Sequence, residues 1–242
     1  MIQAESNPFY GKYNTPFETT PFDKIKTEHY EPAFQKGIEE LKKEIDKISN
    51  NSEPATFDNT IVALERSGKL LDRVSGAFFN VLSANANDEM MEISQRISPS
   101  LTESSNYIYL NERLFSRVKT VYDQRETLNL NLEDRKLLEE TFRSFQEKGA
   151  NLNAKDKERY KELTKELSLL SLQFDQNALK DQNRFEMLLT DKEEVAGLPE
   201  SSLEAARFAA KEKGKEGWLF TLDAPSYVPF VRYASSRTLR EK

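Results

Sequence analysis

The most extended regular pattern of apolar and polar positions in this 242-residue chain runs from Asn153 to Asp181. Apolar residues recur there in steps of three or four, which places them on one face of an α-helix, and positions 161, 162, 165 and 166 put charge on the other face. Asn153 can accept a hydrogen bond from the first turn, so the pattern predicts one long helix along which shorter helices pack. The apolar stripe consists of Tyr160, Leu163, Leu167, Leu170, Phe174 and Ala178, and it is widened by Leu169, Leu172 and Leu179.

The same period predicts two helices in the first third of the chain. The first ends at the polar cluster 49–52, and Thr56 can cap the second. Gly68, Ser75 and Gly76 lie within the second helix. Because a glycine inside a helix costs about 1 kcal/mol, these small residues predict the close approach of another helix, with a flexible kink as the alternative.

Two more helices are predicted before the long one. Asp88 can cap the third helix, which Pro99 is expected to kink or split before the apolar pattern resumes as far as Tyr122. The fourth begins after Asn131, and Gly149 is a natural C-terminal cap for it. The short connections favour neighbouring helices that pack roughly antiparallel.

After residue 181 the pattern becomes mixed. The runs 184–190 and 217–222 contain the alternating and β-prone residues typical of short strands, and a helix is predicted between them at 199–214. A short aromatic helix then starts near Asp223. We therefore predict an all-α array around one long helix, with a possible two-stranded sheet whose pairing and direction the sequence leaves open.

The two ends of the chain differ from its helical body in composition and pattern. Residues 1–26 are rich in proline and aromatic residues, which predicts an extended arm anchored on the body, with a linear recognition motif as the alternative. Residues 27–242 form the predicted helical body. The last helix starts at Ser236 and the sequence stops inside it at Lys242, so we expect the chain to be part of a longer protein.

Composition narrows the possible partners. The chain carries 35 basic and 41 acidic residues, a net charge of −6, without a basic tract that would follow phosphates, so we expect no nucleic-acid partner. No apolar run approaches the length of a membrane span, and residues 1–6 lack the apolar core of a signal peptide. The absence of cysteine leaves the compartment, cytoplasm or periplasm, open.

Six segments in series resemble a known family, the thimet oligopeptidase family of zinc metallopeptidases, of the bacterial dipeptidyl carboxypeptidase and oligopeptidase A type. The resemblance covers nearly the whole chain after about residue 7. The segments are TEHYEPAF (27–34), TFDNTIVALERSGKLLDRV (56–74), FFNVLSANAND (78–88), YLNERLFSRVKTVYDQR (109–125), ELSLLSLQFDQNALKD (166–181) and TLDAPSYVPFVRYASSRTLREK (221–242).

The resemblance implies a mostly helical enzyme of two lobes that face each other across a narrow channel, which admits short peptides and excludes folded proteins. In such enzymes two histidines of an HExxH helix and a distant glutamate hold the zinc, downstream of the region matched here. The chain is then expected to be the non-catalytic N-terminal lobe, with the C-terminal catalytic lobe of the same polypeptide and short peptides as its partners. Whether the parent enzyme removes C-terminal dipeptides or cuts internally stays open.

The residues themselves offer little catalytic chemistry. Catalytic zinc takes three protein ligands, often two histidines one helical turn apart, whereas this chain has one histidine, His29, and no cysteine. We expect His29 to hydrogen-bond the neighbouring helix end. No catalytic, cofactor-binding or metal-binding residue is therefore assigned, and no cofactor is expected in this chain. Hydroxyls for nucleophilic catalysis are available at Ser104, Ser105, Ser235 and Ser236, but one histidine leaves few bases and no segment resembles GxSxG. The carboxylate pairs Glu139 with Glu140 and Glu193 with Glu194 are interpreted as solvated helix faces, and Met90 and Met91 as core.

Two functions of different class remain. One is the channel-forming lobe of a peptidase, in which Tyr227, Arg232 and Tyr233 are candidates for substrate contact, although core packing is the favoured role of both tyrosines. The other is an autonomous helical domain that binds a peptide or protein in a groove between its helices.

Overall fold

The computed structural model describes residues 7–85 and 87–242, and most of these residues are helical. The predicted mainly helical fold with one small sheet is confirmed. The chain divides into two compact units, the first ending at Leu170 and the second starting at Ser171. The elements are α1 (Tyr30–Ser49), α2 (Ala63–Glu65), α3 (Lys69–Asn85), α4 (Asp88–Tyr109), α5 (Glu112–Asp123), α6 (Leu132–Glu147), α7 (Ala154–Arg184), β1 (Met187–Leu189), α8 (Glu200–Glu212), β2 (Trp218–Phe220), α9 (Ala224–Tyr233) and α10 (Arg237–Arg240).

The core of the first unit forms around α1. This helix packs against α3, α4 and α5, and its residues Phe34 and Ile45 are fully buried. Phe34 meets Phe78 of α3 edge-to-face, with ring centroids 5.4 Å apart. Gly37 permits the close packing of α1 on α3, because a Cβ atom at this position would lie 3.0 Å from the backbone of Leu71.

The predicted second helix is interrupted. It starts at the Thr56 cap as a π-helical segment (Phe57–Val62), continues as α2 and breaks at Gly68, whose φ of 75° is left-handed; α3 follows. The expected close approach of another helix occurs at Gly68, where a Cβ atom would lie 3.2 Å from the side chain of Leu41 in α1. It is absent at Gly76, where nothing lies within 4 Å of a Cβ atom built there.

The break in the third predicted helix lies elsewhere than expected. α4 continues through Pro99 and ends at Tyr109, so the predicted split at the proline is wrong. A proline in a helix costs roughly 3 kcal/mol, and the burial of Ile93 and Ile97 against the core offsets that cost. The chain instead breaks at Asn111, whose side chain caps α5 by accepting from the Leu114 N–H at 3.0 Å. Asn87, not Asp88, caps α4.

Residues 7–26 contain three short 3₁₀ turns, at Pro8–Tyr10, Pro16–Glu18 and Phe22–Lys24. Phe9 is fully buried and lies 5.5 Å from the ring of Tyr30. The guanidinium of Arg73 donates to the carbonyls of Phe9 and Gly11 at 3.1 and 2.8 Å. This part of the proposed arm is therefore tied to α1 and α3, whereas residues 1–6 lie outside the described part of the chain.

The long helix α7 forms as predicted, and Asn153 accepts from the Asp156 N–H at 2.9 Å to cap its start. The prediction that shorter helices pack along it is wrong. Within this fully described helix only Lys157 is buried, and the apolar stripe from Leu163 to Phe174 is exposed. The periodicity correctly identified the apolar face, but periodicity carries no information on what covers that face.

The second unit is built on the small sheet. β1 and β2 pair antiparallel, with Met187 opposite Phe220 and Leu189 opposite Trp218, which settles the direction that the sequence left open. α8 packs against β2 and α9. A side chain at Gly217 is excluded, because its φ is 115° and a Cβ atom would lie 2.4 Å from the Leu189 carbonyl oxygen. The buried core of this unit contains Leu189, Val195, Leu198, Ala206, Trp218, Phe220, Phe230 and Ala234.

Candidate functional site

The aromatic helix α9 presents the residues predicted to contact substrate. Its start is fixed by side chains, since Thr221 donates its N–H to the Ser226 hydroxyl at 3.0 Å and its own hydroxyl to Asp223 at 2.9 Å. One face is anchored by Phe230, which is buried with its ring centroid 4.7 Å from that of Phe220. The other large apolar side chains of this short helix are exposed, for example Val228 at 52% and Val231 at 39%.

The two tyrosines of α9 are surface residues. Tyr227 and Tyr233 are each 47% exposed, so the favoured prediction that both pack in the core is wrong. The helix is apolar on more than one side, but only the side that carries Phe230 faces the sheet. Arg232 lies over the ring of Tyr233, with 5.5 Å between its guanidinium carbon and the ring centroid, so these two side chains form a local pair.

Tyr227 borders a cavity of about 250 Å³ in the second unit, which Arg232 and Tyr233 do not line. Its wall combines apolar side chains with the charged residues Arg240, Glu241 and Lys242. Such a cavity can accept an apolar side chain, with a positive charge available for a carboxylate. The other lining residues include Phe185, Met187, Phe220, Leu222, Phe230, Val231 and Leu239.

A larger groove of about 600 Å³ within the same unit is also lined by Phe220. Small alanine side chains of α8, at 205, 206 and 209, leave room for it. The amides of Gln182 and Asn183 and the hydroxyls of Ser202 and Ser226 line the groove. Amides and hydroxyls both donate and accept hydrogen bonds, so these groups can pair with the backbone of an extended peptide.

A charged cluster adjoins this groove through Lys213. Lys213, which lines the groove, and Lys215 both donate to the carboxylate of Glu186. These two charge-assisted hydrogen bonds lower the pKa of Glu186 from 4.5 to about 2. Glu186 is therefore ionised at neutral pH and fixes both ammonium groups.

The single histidine has the structural role that we predicted. The Nδ1 atom of His29 accepts from the Lys26 N–H at 3.0 Å, and its carbonyl accepts from the Asn7 amide at 2.7 Å. Ser104 is buried and donates to the Ser100 carbonyl at 2.8 Å. Each of these two side chains thus hydrogen-bonds a nearby backbone group, and the structure shows no hydrogen bond between His29 and Ser104.

The two candidate glutamates of α6 are also paired locally. Glu139 pairs with Arg135 at 3.2 Å, and Glu140 with Lys136 at 2.6 Å, both one helical turn apart along α6. Met90 is buried in the core of the first unit, as predicted, whereas Met91 is only half-buried and does not belong to that core.

The zinc that the family resemblance implies needs a cluster of donors. Within residues 7–85 and 87–242, no three histidine, cysteine, aspartate or glutamate side chains come close enough together to hold a metal ion. The described residues thus do not fit a zinc site. The same ranges contain no helix with both the length and the apolar character needed to cross a membrane.

Known proteins similar to this chain are peptidases. Dipeptidyl carboxypeptidase of Escherichia coli (strain K12) is 37% identical over 98% of the chain, which covers 35% of that protein. Oligopeptidase A of the same organism is 32% identical over 94% of the chain and 34% of its own length. The organellar oligopeptidase A of Arabidopsis thaliana is 27% identical over 98% of the chain, covering 30% of that protein. No protein-family model matches.

The chain spans about a third of the length of the curated relatives it matches. The match nevertheless extends over nearly all of the chain itself, so it includes both compact units and α7. The resemblance inferred from the sequence is therefore confirmed: over nearly all of its length the chain is similar to a segment that makes up about one third of dipeptidyl carboxypeptidase and of oligopeptidase A.

Proposed function

We propose that this chain is the non-catalytic N-terminal lobe of a zinc-dependent oligopeptidase or peptidyl-dipeptidase, in which it forms one wall of a channel that admits short peptides. The observation that carries the proposal is the match of 98% of the chain to a dipeptidyl carboxypeptidase, of which it covers 35%. The C-terminal catalytic lobe of the same polypeptide would supply the zinc and its ligands. The substrate would be a short unstructured peptide.

The surface of the second unit supports a peptide as the ligand. The groove beside Phe220 offers the amides of Gln182 and Asn183, which suit a peptide backbone, and the cavity beside Tyr227 suits an apolar side chain. Arg240 at that cavity can attract a carboxylate. In this proposal these groups position the substrate, and the chemistry occurs on the other lobe.

The test is the protein encoded by the complete natural reading frame, assayed on a short unstructured peptide and on a folded protein. We expect cleavage of the peptide alone and its loss when a chelator removes the metal. As a matched control, His29→Ala should leave the rate unchanged, because the His29 side chain accepts a hydrogen bond from the nearby backbone N–H of Lys26. The proposal is wrong if the reading frame encodes no second lobe, or if the chelator has no effect on cleavage.

The alternative is an autonomous peptide-binding domain, favoured by the groove of about 600 Å³ that lies within one unit. In that case the 242-residue chain alone should bind an unstructured peptide, measured by fluorescence anisotropy of a labelled peptide. Ala205→Phe would fill the groove and abolish that binding, whereas Leu132→Ala, in the other unit, would leave it intact. Binding that is insensitive to Ala205→Phe would exclude the groove as the site.

A further inference from the structure

The middle of α7 is an unusual surface for a folded protein. Leu167, Leu170 and Phe174 are 63%, 54% and 72% exposed, and they continue the stripe that begins at Leu163. Scattered apolar residues are common on protein surfaces, whereas a contiguous apolar row is typical of an interaction site. A second segment of polypeptide would remove these side chains from water.

The apolar surface of this helix has two sides. A residue two positions further along a helix lies about 200° around the axis, so Leu169 and Leu172 lie opposite Leu167 and Leu170 and do not widen their stripe as predicted. Leu169 is itself 40% exposed. A helix that is apolar on opposite sides is typical of the interior of a larger protein.

A second copy of the chain fits this surface poorly. A two-stranded coiled coil has a single narrow apolar seam that is sustained over three or four heptads. In the heptad register of Leu163, Leu167, Leu170 and Phe174, the next two seam positions are Asn177 and Asp181. The seam is thus too short, and Leu169, which is 40% exposed on the other side of the helix, would stay in water.

We propose that residues 163–174 of α7 are enclosed by the part of the polypeptide that corresponds to the other two thirds of the relatives. This inference rests on the proposed function, because the proposed occupant corresponds to the part of the relatives that this chain does not cover. The occupant contacts both the Leu167 side and the Leu169 side of the helix. α7 is then an internal helix of the complete enzyme.

The chain contains no cysteine, so single thiols can report on the accessibility of α7. The variants are Leu167→Cys and Leu169→Cys, one on each side of the helix, with Leu132→Cys as the matched control because Leu132 is 88% exposed at the start of α6. A maleimide reagent is applied to the 242-residue chain and to the protein of the complete reading frame. Peptide mass mapping then gives the labelling rate at each introduced thiol, expressed relative to the control.

We expect both relative rates to be about tenfold or more lower in the complete protein than in the 242-residue chain. Unchanged rates in the complete protein would overturn the inference. So would protection in the 242-residue chain that grows with its concentration, because the occupant would then be a second copy. Peptide cleavage by the complete protein is measured separately. An active enzyme with accessible thiols would keep the proposed function and reject this inference. An inactive protein with protected thiols would keep this inference and reject the proposed function.

Discussion

α1 and α7 carry the same kind of apolar pattern, yet they have opposite surroundings. The stripe of α1 includes Phe34 and Ile45, which are fully buried among α3, α4 and α5, whereas the stripe of α7 includes Leu167 and Phe174, which are mostly exposed. Periodicity therefore identifies which side of a helix is apolar but does not predict whether that side is covered.

Local interactions help to explain how α7 remains a helix without a buried face. Asn153 caps its start, and Glu158 pairs with Lys161 and Arg159 with Glu162, each three residues apart. Such pairs contribute about 0.2–0.5 kcal/mol each, and a cap about 1 kcal/mol. α1 instead gains most of its stability from burial of its aromatic and aliphatic side chains.

The largest expected effect comes from truncating the same side chain in the two helices. Phe34→Ala should lower the free energy of unfolding by about 3–5 kcal/mol, because it leaves a cavity among Phe78 and Phe79. Phe174→Ala should change it by less than about 0.5 kcal/mol, because the ring is already in water. Urea unfolding of each variant of the 242-residue chain gives both values, and equal losses would refute the contrast between the helices.

A second comparison uses two glycines in helices. Gly37→Ala should cost about 1 kcal/mol, because overpacking against the Leu71 backbone, about 1–3 kcal/mol, exceeds the gain in helix propensity. Gly76→Ala meets no atom within 4 Å and should stabilise the chain by up to about 1 kcal/mol. Thermal unfolding followed by circular dichroism measures both, and a stabilising Gly37→Ala would contradict the close contact of α1 with α3.

The sequence predicted the helices well, because period and caps are local properties. It found α7 with its Asn153 cap and the C-terminal glycine of α6, Gly149, whose φ is 91°. It misplaced the break near Pro99, because the packing of α4 on the core is not local and outweighs the lost hydrogen bond. Gly37 gave no signal of its own, since its role depends on Leu71, which is distant in sequence.

The candidate site was less predictable for the same reason. The sequence drew attention to Tyr227, but the cavity beside it depends on the pairing of β1 with β2, which a single sequence does not specify. Glu186 is also 27 and 29 positions away from the two lysines that bind it. What could be recognised was the alternation of residues 185–189, which correctly predicted β1.

The N-cap of α7 provides a smaller test of how that helix is held. Asn153→Ala removes the acceptor of the Asp156 N–H and should cost about 1 kcal/mol, visible as fraying of the first turn. The same change at Asn131, which caps the half-buried α6, serves as the matched control. Amide hydrogen exchange in the first turn of each helix measures the fraying. If α7 is supported by local terms, the exchange rates there should rise at least as much as in α6.

The smallest expected effect concerns the charge cluster that follows the end of α7. The pKa of Glu186 is about 2 in the folded chain and 4.5 as its ordinary value, because Lys213 and Lys215 donate to the ionised carboxylate. A lowered pKa contributes stability that is fully present above about pH 4.5 and is lost as the pH falls towards 2. Glu186→Gln removes that contribution, so its stability difference from the natural chain should shrink below pH 4.5 and vanish near pH 2.

Trp218 is the single tryptophan of the chain and lies in β2, so its fluorescence reports the unfolding of the second unit in which this cluster lies. Urea midpoints are compared between pH 7 and pH 2 for the natural chain and for Glu186→Gln, with Glu216→Gln as a control in the exposed loop before β2. The control should follow the natural chain at each pH. A Glu186→Gln difference that stays constant down to pH 2 would mean that the two lysines do not hold the carboxylate in solution, and the second unit would then depend on its apolar core alone.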